Sequence, residues 1–383
     1  MQQVEAAWEV AEIARRRAAD RDETGDFPVQ EFQALHRAGL LTAPLPRPLG
    51  GQGLGSEPGG MHALLRVLAT LGWGNLPVAR LYEGHVNALV LITTFGSADQ
   101  RMQAAEDASR GEVFAVWNTE AGDGVRLEST GAGRHRLLGA KTFASGADAV
   151  TRPVVTGRLP DGGWQMMLLP LGDADRDRVD TSWWRPLGMN ASASHRIDFG
   201  DLEVAAEALI GTPGDYYRQP WFSGGAIRFA AAQLGGAAAL LDAAVATLRD
   251  AGRTDDALQQ ARLGEAAIAI ASGEQWLFWA ANHADASALG GAREPRVSAE
   301  EMVTAANMMR TGMERICLTV LDLVERSVGA RGLMRPHPIE RIGRDLTLYL
   351  RQPAPDAALR DAGRFALEQE TPSLSWWRPD ATP

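Results

Sequence analysis

The sequence predicts an α+β chain in three consecutive parts: helical over residues 1–110, β over 111–215, and helical again over 216–383. Three observations carry that division. Apolar residues recur at helical spacing up to about residue 110, and short apolar or alternating runs broken by glycine and proline follow. Beyond about residue 222, long stretches rich in small residues return to the helical period.

In the first part, Val4 to Ala18 places apolar residues on one helical face and arginines on the other. Asp26-Phe27-Pro28 offers an N-cap with proline just inside the next helix, Phe32, Leu35 and Leu40 form its apolar stripe, and Gly39 fits its stop. A proline- and glycine-rich loop covers Pro44 to Gly60. His62 to Leu71 and Val86 to Phe95 resume the helical pattern.

In the second part, Val113 to Trp117 suits a buried strand. Arg136 to Phe143 and Pro153 to Arg158 read as further strands. Pro160-Asp161-Gly162-Gly163 is a turn, with Trp164 to Leu169 returning as the partner strand. Arg196 to Phe199 alternates as a half-buried strand does. Short strands with such turns predict an antiparallel barrel or sandwich.

The third part opens with a helix containing Ala230-Ala231-Ala232 and Gly235-Gly236-Ala237, residues small enough for close helix contact in a bundle. Glu265 to Ala288 and Ser298 to Val328 read as long companions joined through Gly290 to Pro295. The tail from Thr371 onward shows no pattern.

Composition narrows the function classes. A formal charge of -10 gives no electrostatic footprint for nucleic acid. The single cysteine, Cys317, cannot form an internal disulfide and reads as a buried helical thiol. The start lacks the basic and apolar regions of a signal peptide, and no run reaches the ~18 apolar residues that span a bilayer, so the cytoplasm is the expected location.

Several motifs fail on context. Gly51-Gln52-Gly53-Leu54-Gly55 has neither the strand before it nor the helix after it that a dinucleotide fingerprint needs, and reads as a structural loop. The histidines are scattered and none pairs with another at metal-ligand spacing, so no metal is expected. Ser192-Ala193-Ser194-His195 lacks a glycine-flanked elbow. Trp183-Trp184 and Trp276/Trp279 are core residues or the walls of an aromatic pocket.

Taken in order, segments of all three parts resemble the acyl-CoA dehydrogenase superfamily. Phe27-Pro28 to Leu41 followed by Gly50-Gly51-Gln52-Gly53 resembles its N-terminal helix and glycine loop, and Phe114 to Glu120 its Thr-Glu flavin strand. Gly139 to Gly146 is similar to the G-x-K-x-W/F segment, and Leu187 to Val204 to the stretch that follows it. Arg228 through Ala237 resembles the first helix of the bundle, and Val328 to Asp345 the terminal G-G-x-G … R-D run.

That resemblance implies an N-terminal helical domain (1–110), a middle antiparallel β-barrel (111–215) and a C-terminal four-helix bundle (216–383). It implies FAD held between barrel, bundle and a neighbouring subunit, in a homodimer or homotetramer served by an electron-transfer partner. Trp117, Thr119, Phe143 and Ser145 would border the isoalloxazine. Arg253, Arg326, Gly329, Ala330 and Gly332 would meet the pyrophosphate and adenine end.

The catalytic pattern departs from the family. Its glutamate base must reach the substrate α-proton, yet Pro353 stands at the usual place and Ile227 at the alternative one, just before Arg228. Asp356 is the nearest candidate base, and Arg228 the other catalytic candidate. The implied activity is flavin-linked oxidation of an acyl-CoA or related thioester. A flavin-dependent monooxygenase of the same fold, which needs no such base, and a non-catalytic binding or assembly protein are the alternatives.

Overall fold

The computed structural model describes residues 2–131, 133–351 and 354–377. Helices α1 (Gln2–Thr24), α2 (Val29–Arg37), α3 (Met61–Gly74), α4 (Leu76–Phe95) and α5 (Ala98–Ser109) open the chain. The expected cap of α2 is absent. Pro28 itself holds the N-cap position without a side-chain bond, leaving Asp26 two residues too early to reach the first amides. Gly39 ends the helix in the left-handed region, as expected. The reading of the sequence passed over α5, although Ser97 and Gln100 form a capping box there.

The loop from Pro44 to Gly60 folds back on itself, with Gly53 and Leu54 donating to the carbonyls of Leu45 and Ala43 at 2.9 and 3.0 Å. A Cβ on Gly51 would collide with the Leu45 backbone. The glycines therefore serve chain packing in this loop.

The central segment forms one nine-stranded sheet among the described residues: β1 (Phe114–Trp117), β2 (Glu120–Gly131), β3 (Arg134–Ala144), β4 (Arg152–Arg158), β5 (Trp164–Leu168), β6 (Val179–Asp180), β7 (His195–Asp198), β8 (Glu203–Ala205) and β9 (Leu209–Ile210). The path runs β6-β7-β3-β2-β4-β5-β9. The sheet is mixed, which corrects the antiparallel expectation. β1 lies parallel to β4, Phe114 opposite Arg152, because the whole β2–β3 hairpin intervenes and supplies the crossover a parallel pair needs. The long strand β2 gave no sequence signal: Glu120 to Gly131 is mostly polar and its register breaks between Ala121 and Arg126.

Helices α6 (Trp221–Gly224), α7 (Ala226–Asp250), α8 (Ala257–Asp285), α9 (Ala299–Val328), α10 (Pro338–Tyr349) and α11 (Pro355–Glu368) complete the fold. The stretch Trp221–Asp250 is long and apolar enough to cross a membrane by length and composition, contrary to the sequence expectation. Most of that stretch is buried inside the protein, with α3, α9 and α10 packed along it. One apolar core runs through all three compositional parts, from Val10 on α1 through Trp117 and Phe199 to Met309 on α9. Cys317 is buried in it, as expected, and burial pushes its thiol up.

Candidate functional site

The ends of β1 and β3 meet at one edge of the sheet. Thr142 N–H donates to the Thr119 carbonyl at 3.0 Å, and the Trp117 indole donates to the Ser145 carbonyl at 3.0 Å. The four residues expected around a flavin ring are thus brought to one edge, but they do not all face outward. Thr119 is exposed. Phe143 stands in the left-handed region at φ 51 with its ring 53% exposed, a conformation that a bulky residue holds only when its surroundings impose it.

Trp117, by contrast, is one of the largest fully buried side chains and lies beneath this edge as a strut. Its indole N–H is held by the Ser145 carbonyl, so the ring supports the edge from within. The Ser145 hydroxyl is buried too, bonded to Ser194 at 3.0 Å, which bonds Ser192 at 2.8 Å.

Sequence reasoning left Trp183 and Trp184 undecided between core and pocket. Their rings lie edge-on to Phe143 at 5.1 and 5.8 Å and near-parallel to each other, so the three build an apolar shelf beside Thr119. The adjacent tryptophans were the only sequence signal. A shelf of this kind suits a flat conjugated ring.

A buried ion pair holds the edge rigid. Lys141, with no exposed surface, pairs with Glu120 and donates to the Asn118 carbonyl at 3.0 Å and the Thr156 hydroxyl at 3.1 Å. Glu120 also accepts from the Val125 amide at 2.7 Å. Burial pulls the Lys141 ammonium down, and Glu120 opposes the shift. The Thr-Glu and G-x-K motifs are here two halves of one clamp.

A second polar cluster lies where α4, α7 and α10 meet. Arg228, on the first turn of α7, is 3% exposed, and its Nε and Nη1 have no hydrogen-bond partner among the described residues. Burial pulls its guanidinium down to about 10, with Glu83 opposing. Glu83 of α4 is itself occupied by Arg80 and Asn87. The Tyr349 hydroxyl, on the last turn of α10, is also buried and has no partner among the described residues, while the Tyr349 carbonyl accepts from Gln233 at 2.9 Å. Burial pushes the Tyr349 phenol up, and Glu83 adds to the shift. Glu83 and Tyr349 escaped the sequence reading because neither stands in a motif that composition singles out.

The remaining candidates fall elsewhere. Asp356 is exposed on the first turn of α11, which packs against α9. The carboxylate there is open to solvent, not enclosed as a base shielded with its substrate would be. Pro353 lies outside the described residues. Ile227 is fully buried and apolar.

Arg228 stands on the first turn of α7 and Arg253 just beyond its end at Asp250, with about 33 Å of helix between them. Arg253 pairs with Asp256 at 2.8 Å and Arg326 with Asp322 at 2.9 Å, both at the surface. Gly329 closes α9 in a left-handed turn and Ala330 is exposed beside it. Gly332 is buried against Val328, where a Cβ would stand 2.7 Å from it.

Comparison with known proteins now defines the class. Residues 3–112 match the N-terminal domain model of acyl-CoA dehydrogenases, and residues 227–350 match their C-terminal domain model. The chain belongs to the acyl-CoA dehydrogenase family of flavoproteins.

It is 26% identical over 377 residues to the candidate acyl-CoA dehydrogenase YdbM of Bacillus subtilis (strain 168), covering 94% of each chain. It is 25% identical over 397 residues to the dibenzothiophene monooxygenase of Rhodococcus erythropolis, covering 96% of this chain and 94% of the other. The solved FMN-bound TdsC of Paenibacillus sp. A11-2, a dibenzothiophene monooxygenase, superposes with a TM-score of 0.85 at 20% identity over 99% of this chain and 100% of that one.

Proposed function

We propose that this protein is a flavin-dependent monooxygenase acting on a small organic molecule. The observation that carries the reading is the buried apolar Ile227 beside Arg228: neither it nor Pro353, the residues at the family's two glutamate positions, is a carboxylate, and the nearest one, Asp356, is turned to solvent. Oxygen insertion has no such requirement. The likeness to dibenzothiophene monooxygenases supports the same choice.

Reduced flavin, when bound, supplies two electrons to dioxygen, so that one oxygen atom joins the substrate and the other leaves as water. Thr119 and Phe143, with Trp183 and Trp184, would hold the ring, Trp117 and Ser145 supporting them from beneath. The apolar shelf keeps water from the face it covers. FMN is favoured over FAD, because Arg253 and Arg326 already carry local ion pairs and Gly332 is packed against Val328.

An electron-transfer partner would deliver the electrons. Assembly as a homodimer or homotetramer is supported by α8, whose large apolar side chains Leu258, Ile268 and Phe278 are exposed among its polar ones. A cytoplasmic location belongs to the same reading.

The test is aerobic turnover of reduced flavin by the purified protein with indole or dibenzothiophene, using isotopically labelled dioxygen. Label in the product, with released flavin identified as FMN, supports the proposal. Bleaching of bound oxidised flavin by acyl-CoA without oxygen would replace it with dehydrogenation.

A further inference from the structure

The junction of α4, α7 and α10 holds an uncompensated charge. Arg80 and Arg228 bring two positive charges and Glu83 one negative, leaving one positive charge among side chains that are mostly buried. Tyr216, next to the same helices, adds no charge; burial pushes its phenol up, so it stays protonated. Glu83 is occupied by Arg80 and Asn87, so it cannot also satisfy Arg228. Two guanidinium nitrogens and the Tyr349 hydroxyl therefore remain without a hydrogen-bond partner among the described residues. Buried polar groups are almost always paired, and a buried charge more so. Arg228 also stands on the first turn of α7, where the helix dipole favours an anion. Gly225 leaves the room that the guanidinium takes, since a Cβ there would stand 2.7 Å from Nη2.

We infer that Arg228 and Tyr349 are the receptor for a carboxylate on the substrate, a group that supplies both the missing negative charge and acceptor oxygens for the unpaired donors. The inference deepens the proposed function and rests on that reading for calling the ligand a substrate. It makes the substrate a small organic acid, which enters with its carboxylate against α7.

The test is titration of the full-length protein, as purified, with benzoate and with its uncharged analogue benzamide, followed by tryptophan fluorescence. Benzoate is expected to bind saturably and roughly tenfold or more tighter than benzamide. Arg228→Met should remove that preference, and Tyr349→Phe should weaken benzoate several-fold while leaving the circular dichroism unchanged. Should Arg228→Met fail to fold, Gly225→Ala, which displaces the guanidinium, is expected to weaken benzoate in its place. Equal affinity for acid and amide, or wild-type benzoate affinity in Tyr349→Phe together with either arginine-site variant, overturns the receptor. Binding needs no turnover, so a protein that prefers benzoate yet puts no labelled oxygen into indole, dibenzothiophene or an aromatic carboxylic acid sinks only the monooxygenase reading. An active one indifferent to charge sinks only the receptor.

Discussion

Lys141 shows how one side chain can decide the geometry of a site it does not enter. Its ammonium joins Glu120, Asn118 and Thr156, which tie β1, β2, β3 and β4 together behind the shelf. Removing one member of a buried pair strands the other. Because Glu120 keeps some access to water, Lys141→Met should destabilise by about 2 to 3 kcal/mol, the low end for such pairs, measured by urea unfolding. His85 makes a pH-dependent contribution. Its Nε2–H donates to the Leu41 carbonyl at 2.8 Å while Nδ1 accepts from the Phe114 amide at 3.2 Å, an arrangement only the neutral ring can satisfy. Burial pulls the imidazole from 6.5 down to about 4. The folded state therefore binds its proton less readily than the unfolded chain. Stability from this group is complete above pH 6.5 and is lost as pH falls towards 4, by about 3 kcal/mol in all. In His85→Gln, the unfolding free energy measured across that window should fall less steeply than in wild type.

Between elements, the contact of α3 with α7 is set by reciprocal glycines. A Cβ on Gly72 would strike the Ala232 carbonyl, and one on Gly235 would strike the Ala69 carbonyl. The two backbones touch because neither position carries a side chain. Gly235→Ala should force the helices apart and lower stability by about 1 to 3 kcal/mol. Gly264 on α8 faces open space. There, Gly264→Ala should raise stability by up to about 1 kcal/mol through helix propensity alone. Paired thermal melts check the opposite signs. The docking of the 187–190 loop on α10 is similar: Gly188 lies against the Arg344 backbone and Asp345 accepts the Met189 amide.

For the whole molecule, α8 is the element least explained by a single chain. Large aliphatic side chains are ordinarily buried, yet on α8 Ile268 is 70% and Leu258 68% exposed. Cover by a second copy accounts for both. Light scattering on the purified protein should report a dimer or larger species, and Ile268→Glu should shift it towards monomer without lowering the secondary-structure signal. An unchanged mass in that variant would move the interface away from α8.

What the sequence determined by itself was the order of elements and the outline of the sheet edge. Hydrophobic periodicity marks α1, α3, α7 and α9 because their faces are sorted locally, and the resemblance placed Thr119 and Phe143 because their motifs are contiguous. Polar β2 and its parallel-making crossover left no periodic trace, since its partners and not its own pattern keep it in the sheet. Only the tertiary structure turned Trp117 inward, left Asp356 in solvent, and brought Arg228 and Tyr349 each towards Glu83, residues from three distant helices. A charge becomes uncompensated only when its neighbours are known, and those neighbours are chosen by packing across the chain, not by spacing along it.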